Sequence, residues 1–253
     1  MYFVWVQVPS AAPQREYFGT LFCFIEKEFS MKHKLFLSVI IKLILGFIII
    51  AALIFIPAGT ICFFNGWLLL TALFVPMTVI GLVLMIKNPG LLRKRINSKE
   101  KLNSQNLLIK LSAVMFVFGF VVAGLDFRFS WSDVPQIVVI AATFIFFVSY
   151  LLYGMVIRQN PFLSRTIELQ KNQIVVETGL YSIVRHPMYS VTLMMFLSMP
   201  LILDSVYSFL VFFIYPFIVV RRIKDEEKFL CKELKGYSEY IKRVKYRLIP
   251  YIW

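Results

Sequence analysis

The stretch Leu35–Pro57, LFLSVIIKLILGFIIIAALIFIP, carries a single charge, Lys42. A helix rises about 1.5 Å per residue, so the hydrocarbon core of a bilayer takes roughly 20 apolar residues. This run is long enough to cross. It exceeds the roughly 7–15 apolar residues of a signal-peptide core and lacks a clear cleavage site. Downstream, three runs meet the same test: Trp67–Ile86, with Pro76 as an expected kink; Leu107–Leu125, with Lys110 near its end and able to snorkel; and Gln136–Ile157. Two shorter runs, Met188–Leu203 and Tyr207–Val220, are joined by Asp204-Ser205 and read as a tight helical hairpin. The expectation is an all-α, polytopic integral membrane protein. It has about six transmembrane helices and a C-terminal cytoplasmic helical segment.

Composition leads to the same class. Of 253 residues, 59% are hydrophobic and 16% charged, mean hydropathy is +0.77 and the formal net charge is +13. A disordered chain is poor in apolar residues. A nucleic-acid binder is basic but not this apolar, and a soluble globule of this size could not hide so much apolar surface. Cys23, Cys62 and Cys231 are far apart, and only His33 and His186 are available. Neither a disulfide framework nor a metal site is expected.

The connecting segments sort by charge. Lys87–Lys101 holds Lys87, Arg93, Lys94, Arg95, Lys99 and Lys101 against Glu100. Arg158–Arg185 holds Arg158, Arg165, Lys171 and Arg185 against Glu168 and Glu177, and the tail from Arg221 is densely basic. Ala58–Gly66 is uncharged, Asp126–Val134 carries Asp126 and Asp133 against Arg128, and the hairpin tip carries Asp204. Basic and non-basic loops alternate, so the positive-inside rule puts both termini in the cytoplasm.

Residues 1–30 mix Pro, Gln, aromatics and scattered charges without a clear period, whereas Met31-Lys32-His33-Lys34 leads into the first apolar run like a chain start. The expected organisation is a doubtful N-terminal extension over 1–30, four spans over 31–157, and the chemistry over 158–253.

Three pieces of the last hundred residues stand out. In Thr178-Gly179-Leu180-Tyr181-Ser182-Ile183-Val184-Arg185-His186-Pro187-Met188-Tyr189, Pro187 suits the first position of a helix. His186 then lies at a helix start whose free N–H groups favour an anion. The plainer alternative makes Arg185 and His186 interfacial anchors, with Tyr181 and Tyr189 in an aromatic belt. In Arg221-Arg222-Ile223-Lys224-Asp225-Glu226-Glu227, a helix continued past the sixth run puts Arg222 and Glu226 four residues apart on one face. That face is either an ordinary solvated pair or a ligand site. Last, Gly236 breaks the helix before Tyr237-Ser238-Glu239-Tyr240, and Val244–Trp253 mixes basic and aromatic residues. Such a tail suits an anionic membrane surface, or its rings could cover an adenine.

In this order, GLYSIVRHPMY, an apolar hairpin, RRIKDEE, GYSEY and YRLIP resemble the isoprenylcysteine carboxyl methyltransferase family, related to the membrane phospholipid N-methyltransferases, over roughly residues 158–253. The resemblance implies methyl transfer from S-adenosylmethionine to a lipid-like or lipidated substrate in a cytoplasmic-side pocket reachable from the bilayer. It implies that Gln173, Ile174, Val175, Val176 and Tyr181 line the cofactor. His186, Pro187, Met188 and Tyr189 would hold its carboxylate and adenosyl part, with Glu226 and Glu227 on its polar groups from the other side. Arg222 would face the substrate's acidic group, Arg222 and Glu226 forming the catalytic pair. Tyr237 and Tyr240 would help close the pocket, and neither nucleic acid nor metal is expected as a partner. One departure is Val191, where the family often has Gly or Ala, which puts the packing of the fifth run in question. No GxGxxG follows a strand, so the soluble methyltransferase design is excluded.

The chemistry suits a partly desolvated site, because a sulfonium loses its positive charge on transfer. A carboxylate acceptor is already ionised near neutral pH and needs no base; an amine must first lose a proton. His186 is the only candidate imidazole and is read as cofactor-binding. Two other classes compete. An NADPH-dependent reductase of the sterol reductase type has a C-terminal half of similar appearance. A non-catalytic small transporter would place ionisable residues inside its spans, where only Lys42 and Lys110 occur.

Overall fold

The computed structural model describes residues 14–97, 103–163 and 169–253. Lys99, Glu100, Lys101, Arg165 and Glu168, part of the loop-charge pattern, and residues 1–13 of the expected extension lie outside these. Among the described residues all regular secondary structure is helical. The elements are α1 (Gln14–Ala58), α2 (Phe64–Lys87), α3 (Pro89–Asn97), α4 (Asn103–Phe129), α5 (Gln136–Gln159), a 3₁₀ turn η1 (Gly179–Ser182), α6 (Pro187–Ile202), α7 (Val206–Phe212), α8 (Tyr215–Glu233) and α9 (Tyr237–Arg243).

Among the described residues five helical stretches are long and apolar enough to cross a membrane: His33–Ala58, Phe64–Lys87, Gln105–Phe129, Gln136–Gln159 and Val206–Glu233; α6 is a shorter apolar helix. The protein is therefore a polytopic, all-α integral membrane protein. Several details differ from the sequence reading. Helix already begins at Gln14, inside the stretch read as lacking a period. The basic segment after Lys87 contains a helix, α3, opened by Pro89 at its first position. The sixth run is divided, α7 ending at Phe212 and α8 starting at Tyr215; α8 does continue past Val220, to Glu233, as the shared face of Arg222 and Glu226 requires.

The chain forms two compact units, residues 1–42 and 43–253. Within the described residues, the first consists of the N-terminal part of α1. The second holds the core and everything described below.

In the second unit α5 is apolar nearly all round yet buried on one side only. On α5 the buried positions Val139, Ala142, Phe146, Ser149 and Tyr150, then Val156 and Ile157, recur every three or four residues, which is one helical face. Ile140, Phe144, Phe147, Leu151 and Met155 are exposed, an arrangement suited to lipid rather than water. Hydroxyls inside the helices bond back to the carbonyl four residues earlier, as in Thr78 to Phe74, Ser112 to Leu108, Thr143 to Val139 and Ser149 to Ile145. A polar group in hydrocarbon is thereby satisfied within its own segment. Tyr150 of α5 ties to α2 by donating to the Leu73 carbonyl at 2.7 Å.

Close approach is built in where α4 meets α1: a Cβ on Gly124 would lie 2.4 Å from the Ile54 carbonyl oxygen. Small residues at such crossings let backbones touch. Val191, the departure from the family pattern, is accommodated in a buried cluster with Val156 and Tyr181.

At one end of this unit, the α4–α5 loop is tied to the α6–α7 turn. Asp126 accepts from the Ser132 amide and from the hydroxyls of Ser132 and Ser205, and Asp204 accepts from the Val134 amide. The opposite end, where α5 finishes and α6 starts, is the end with the cavity.

Candidate functional site

The motif segment is positioned from behind by the end of α5. Gly179 sits at φ +62°, a conformation that favours glycine, and a Cβ there would meet the Gln159 side chain at about 2.5 Å. That side chain accepts from the Leu180 amide at 2.9 Å, and Asn160 donates to the Tyr181 hydroxyl at 3.0 Å. The chain then turns into α6, with His186 as the capping residue and Pro187 at the first helical position.

The C-terminal tail closes onto this turn. The Arg185 and His186 amides donate to the carbonyls of Tyr246 and Arg247, each at 2.9 Å, and Ser190 Oγ donates to the Leu248 carbonyl at 2.6 Å. Arg185 Nη1 reaches the carbonyls of Val244 and Lys245. The basic and aromatic tail thus pairs with the motif through its backbone, a role its composition does not announce.

Two carboxylates next to each other on α8 have different surroundings. Glu227, 6% exposed, receives Arg185 Nε at 2.7 Å, His186 Nε2 at 3.3 Å and Arg247 Nε at 2.8 Å. Glu226 faces the other way and accepts from the Tyr189 hydroxyl at 2.7 Å, while Arg222 Nε donates to the same hydroxyl at 2.8 Å.

Beside them lies a cavity of about 670 Å³. Part of its wall is apolar and comes from α2, α3 and α4, with Leu73, Met77, Ile80, Leu84, Leu92 and Leu108. Another part is polar, with Asn160, Gln173, Arg185, His186, Arg222 and Glu226. Of the residues singled out in the sequence, Gln173, Ile174, Val175, Val176, Tyr181, His186, Met188, Tyr189, Arg222, Glu226, Tyr237 and Tyr240 line it together. Pro187 and Glu227 do not. Asn160, Tyr150, Tyr153 and Arg185 line it as well; the first three end a span that reads as purely structural. Arg247, from the YRLIP motif, reaches Glu227, and Ser190 ties α6 to the tail, a role that no local pattern marks.

The hydroxyl of Tyr240 donates to the Tyr181 carbonyl at 2.7 Å. That of Tyr237 is buried and has no hydrogen-bond partner among the described residues. Burial pushes both phenols well above the ordinary tyrosine range, so both remain protonated donors. No group of His, Cys, Asp and Glu able to hold a metal occurs among the described residues.

The arrangement can hold a small ligand bearing both charges beside an apolar chain. His186 suits a carboxylate, Glu226 suits a cation, Arg222 suits a second anion, and Tyr237 at the wall has a donor to spare. These features fit S-adenosylmethionine, which combines a carboxylate with an ammonium and a sulfonium.

Residues 137–232 match the family model for isoprenylcysteine carboxyl methyltransferase (ICMT). The match bears out the motif resemblance over 158–232 and extends back through α5, whereas the tail with GYSEY and YRLIP lies beyond it; it supports a membrane methyltransferase. The chain is also similar to the Delta(14)-sterol reductase TM7SF2 of Mus musculus, 35% identical over 91 residues, which are 35% of this chain. It covers 22% of that protein's length.

Proposed function

We propose that the protein transfers a methyl group from S-adenosylmethionine to a lipophilic acceptor, an isoprenylcysteine carboxylate or another lipid, at the cytoplasmic face of the membrane. The observation that carries this reading is a cavity that joins an apolar wall, mostly from α2 and α4, to a polar wall from the motif segments. The apolar wall suits the tail of a lipid. The polar wall suits a donor of mixed charge, held by His186, Tyr181 and Gln173–Val176 on one side and Glu226 on the other. Arg222 meets the acceptor's acidic group. The cytoplasmic placement rests on the basic segments flanking this end.

When bound, S-adenosylmethionine supplies an electrophilic methyl on a positive sulfur, which departs with the electron pair of the broken carbon–sulfur bond. The protein contributes orientation and exclusion of water. A carboxylate acceptor becomes an ester with no proton to remove.

A second reading, an NADPH-dependent reductase, is favoured by the similarity to the sterol reductase. The charge balance of the wall weighs against it. Its arginines are Arg185, already paired with Glu227, and Arg222, beside Glu226. A dinucleotide phosphate calls for a larger cationic excess. Measuring the affinities of the purified protein for the two cofactors by calorimetry separates the readings. The methyltransferase binds S-adenosylmethionine; binding of NADPH alone would replace it with the reductase.

A further inference from the structure

We infer that Tyr189 is a positioning residue for the Arg222–Glu226 pair rather than a cofactor contact through its hydroxyl, an inference that rests on the proposed methyl transfer. The hydroxyl is used twice within the protein. It accepts from Arg222 Nε at 2.8 Å and donates its proton to Glu226 Oε2 at 2.7 Å. A phenol has one proton to give, and that proton is committed to Glu226.

The placement gives this bridge a purpose. Arg222 and Glu226 stand one turn apart on α8, on long side chains with many rotamers. Tyr189 approaches from α6, two residues after Pro187, on a ring with two torsions. Its ring lies 5.7 Å from that of His186. One rigid side chain therefore sets the directions of both charged groups relative to the start of α6. Hydrogen bonds to charged groups are the stronger class, and a site loose by about an ångström loses rate steeply.

The test compares Tyr189→Phe with the wild type, both reconstituted as full chains. Thermal unfolding checks the fold, equilibrium dialysis with S-adenosylmethionine gives the donor dissociation constant, and labelled-methyl transfer into a native membrane lipid extract at saturating donor gives the rate. The expected result is a rate at saturating donor lower by about 10- to 100-fold, the value of a hydrogen bond to a charged group, with any rise in the donor dissociation constant, acting through Glu226, no larger than that of Glu226→Gln. Because Tyr189 acts in part through Glu226, the combined loss in Tyr189→Phe/Glu226→Gln should be smaller than the product of the two single losses, the remainder being carried by Arg222. A wild-type rate in Tyr189→Phe would overturn the inference. So would a weakened donor affinity with full rate at saturation, or losses that multiply in the double variant. A wild-type protein that binds the donor and transfers no label overturns the proposed function itself, and this inference with it.

Discussion

Tyr237 and Tyr240 stand one turn apart on α9, both buried, and differ in a single bond. Tyr240 donates to the Tyr181 carbonyl, whereas the Tyr237 hydroxyl is without a partner among the described residues. The same substitution should therefore act in opposite directions. Tyr240→Phe strips a buried carbonyl of its partner and should lower stability by about 1–3 kcal/mol. Tyr237→Phe removes an unpaired buried hydroxyl and should leave the ligand-free protein as stable or more so. Thermal unfolding of the two variants in the same detergent decides it; equal losses would mean that Tyr237 is internally bonded. Glu227 offers a sharper case. It gathers Arg185, His186 and Arg247 while lying outside the cavity wall. Glu227→Ala would leave Arg185, 5% exposed, buried without its carboxylate, which costs about 3–5 kcal/mol. Urea unfolding should register this loss without any ligand present. An unchanged midpoint would argue that Glu227 acts on a ligand instead.

Among the elements, those governed by local pattern were readable before the structure. Runs such as Gln136–Ile157 had the length and apolarity of a span, and α5 covers Gln136–Gln159. Pro187 announced the start of α6, and the four-residue spacing of Arg222 and Glu226 put them on one face of α8. Long-range pairings were not readable. The amide of Arg185 meets the carbonyl of Tyr246 across the whole hairpin, and nothing in a basic, aromatic tail distinguishes a strap from a membrane-surface segment. Helix α3 was hidden because its charges read as loop topology, and the break between α7 and α8 falls in an apolar run whose one signal is Pro216, in the first turn of α8. Of the site, the RHPMY and RRIKDEE residues were visible as motifs. The different duties of Glu226 and Glu227 were not, since adjacent carboxylates look alike until α8 is packed. Helix approach is also testable. Gly124→Val would drive a side chain into the backbone of Ile54, and overpacking of this kind costs about 1–3 kcal/mol. A lowered unfolding temperature is expected, and an unchanged one would mean that α1 and α4 lie further apart.

For the whole molecule, orientation and activity are the two claims to test. Cys62, in the α1–α2 connection, and Cys231, near the end of α8, are both exposed. With the positive-inside orientation they lie on opposite sides of the bilayer. A membrane-impermeant thiol reagent applied to intact cells should label a variant retaining only Cys62 and spare one retaining only Cys231, with Cys23 replaced by Ser in both. The reverse pattern would turn the protein over. The central claim is methyl transfer in the cavity beside His186 and Glu226. Membranes containing the protein, supplied with S-adenosylmethionine labelled in its methyl group, should yield a labelled product that partitions into organic solvent. The label should disappear with His186→Ala and with Glu226→Ala. Label that persists in both variants, or no label with the wild type, would contradict the account.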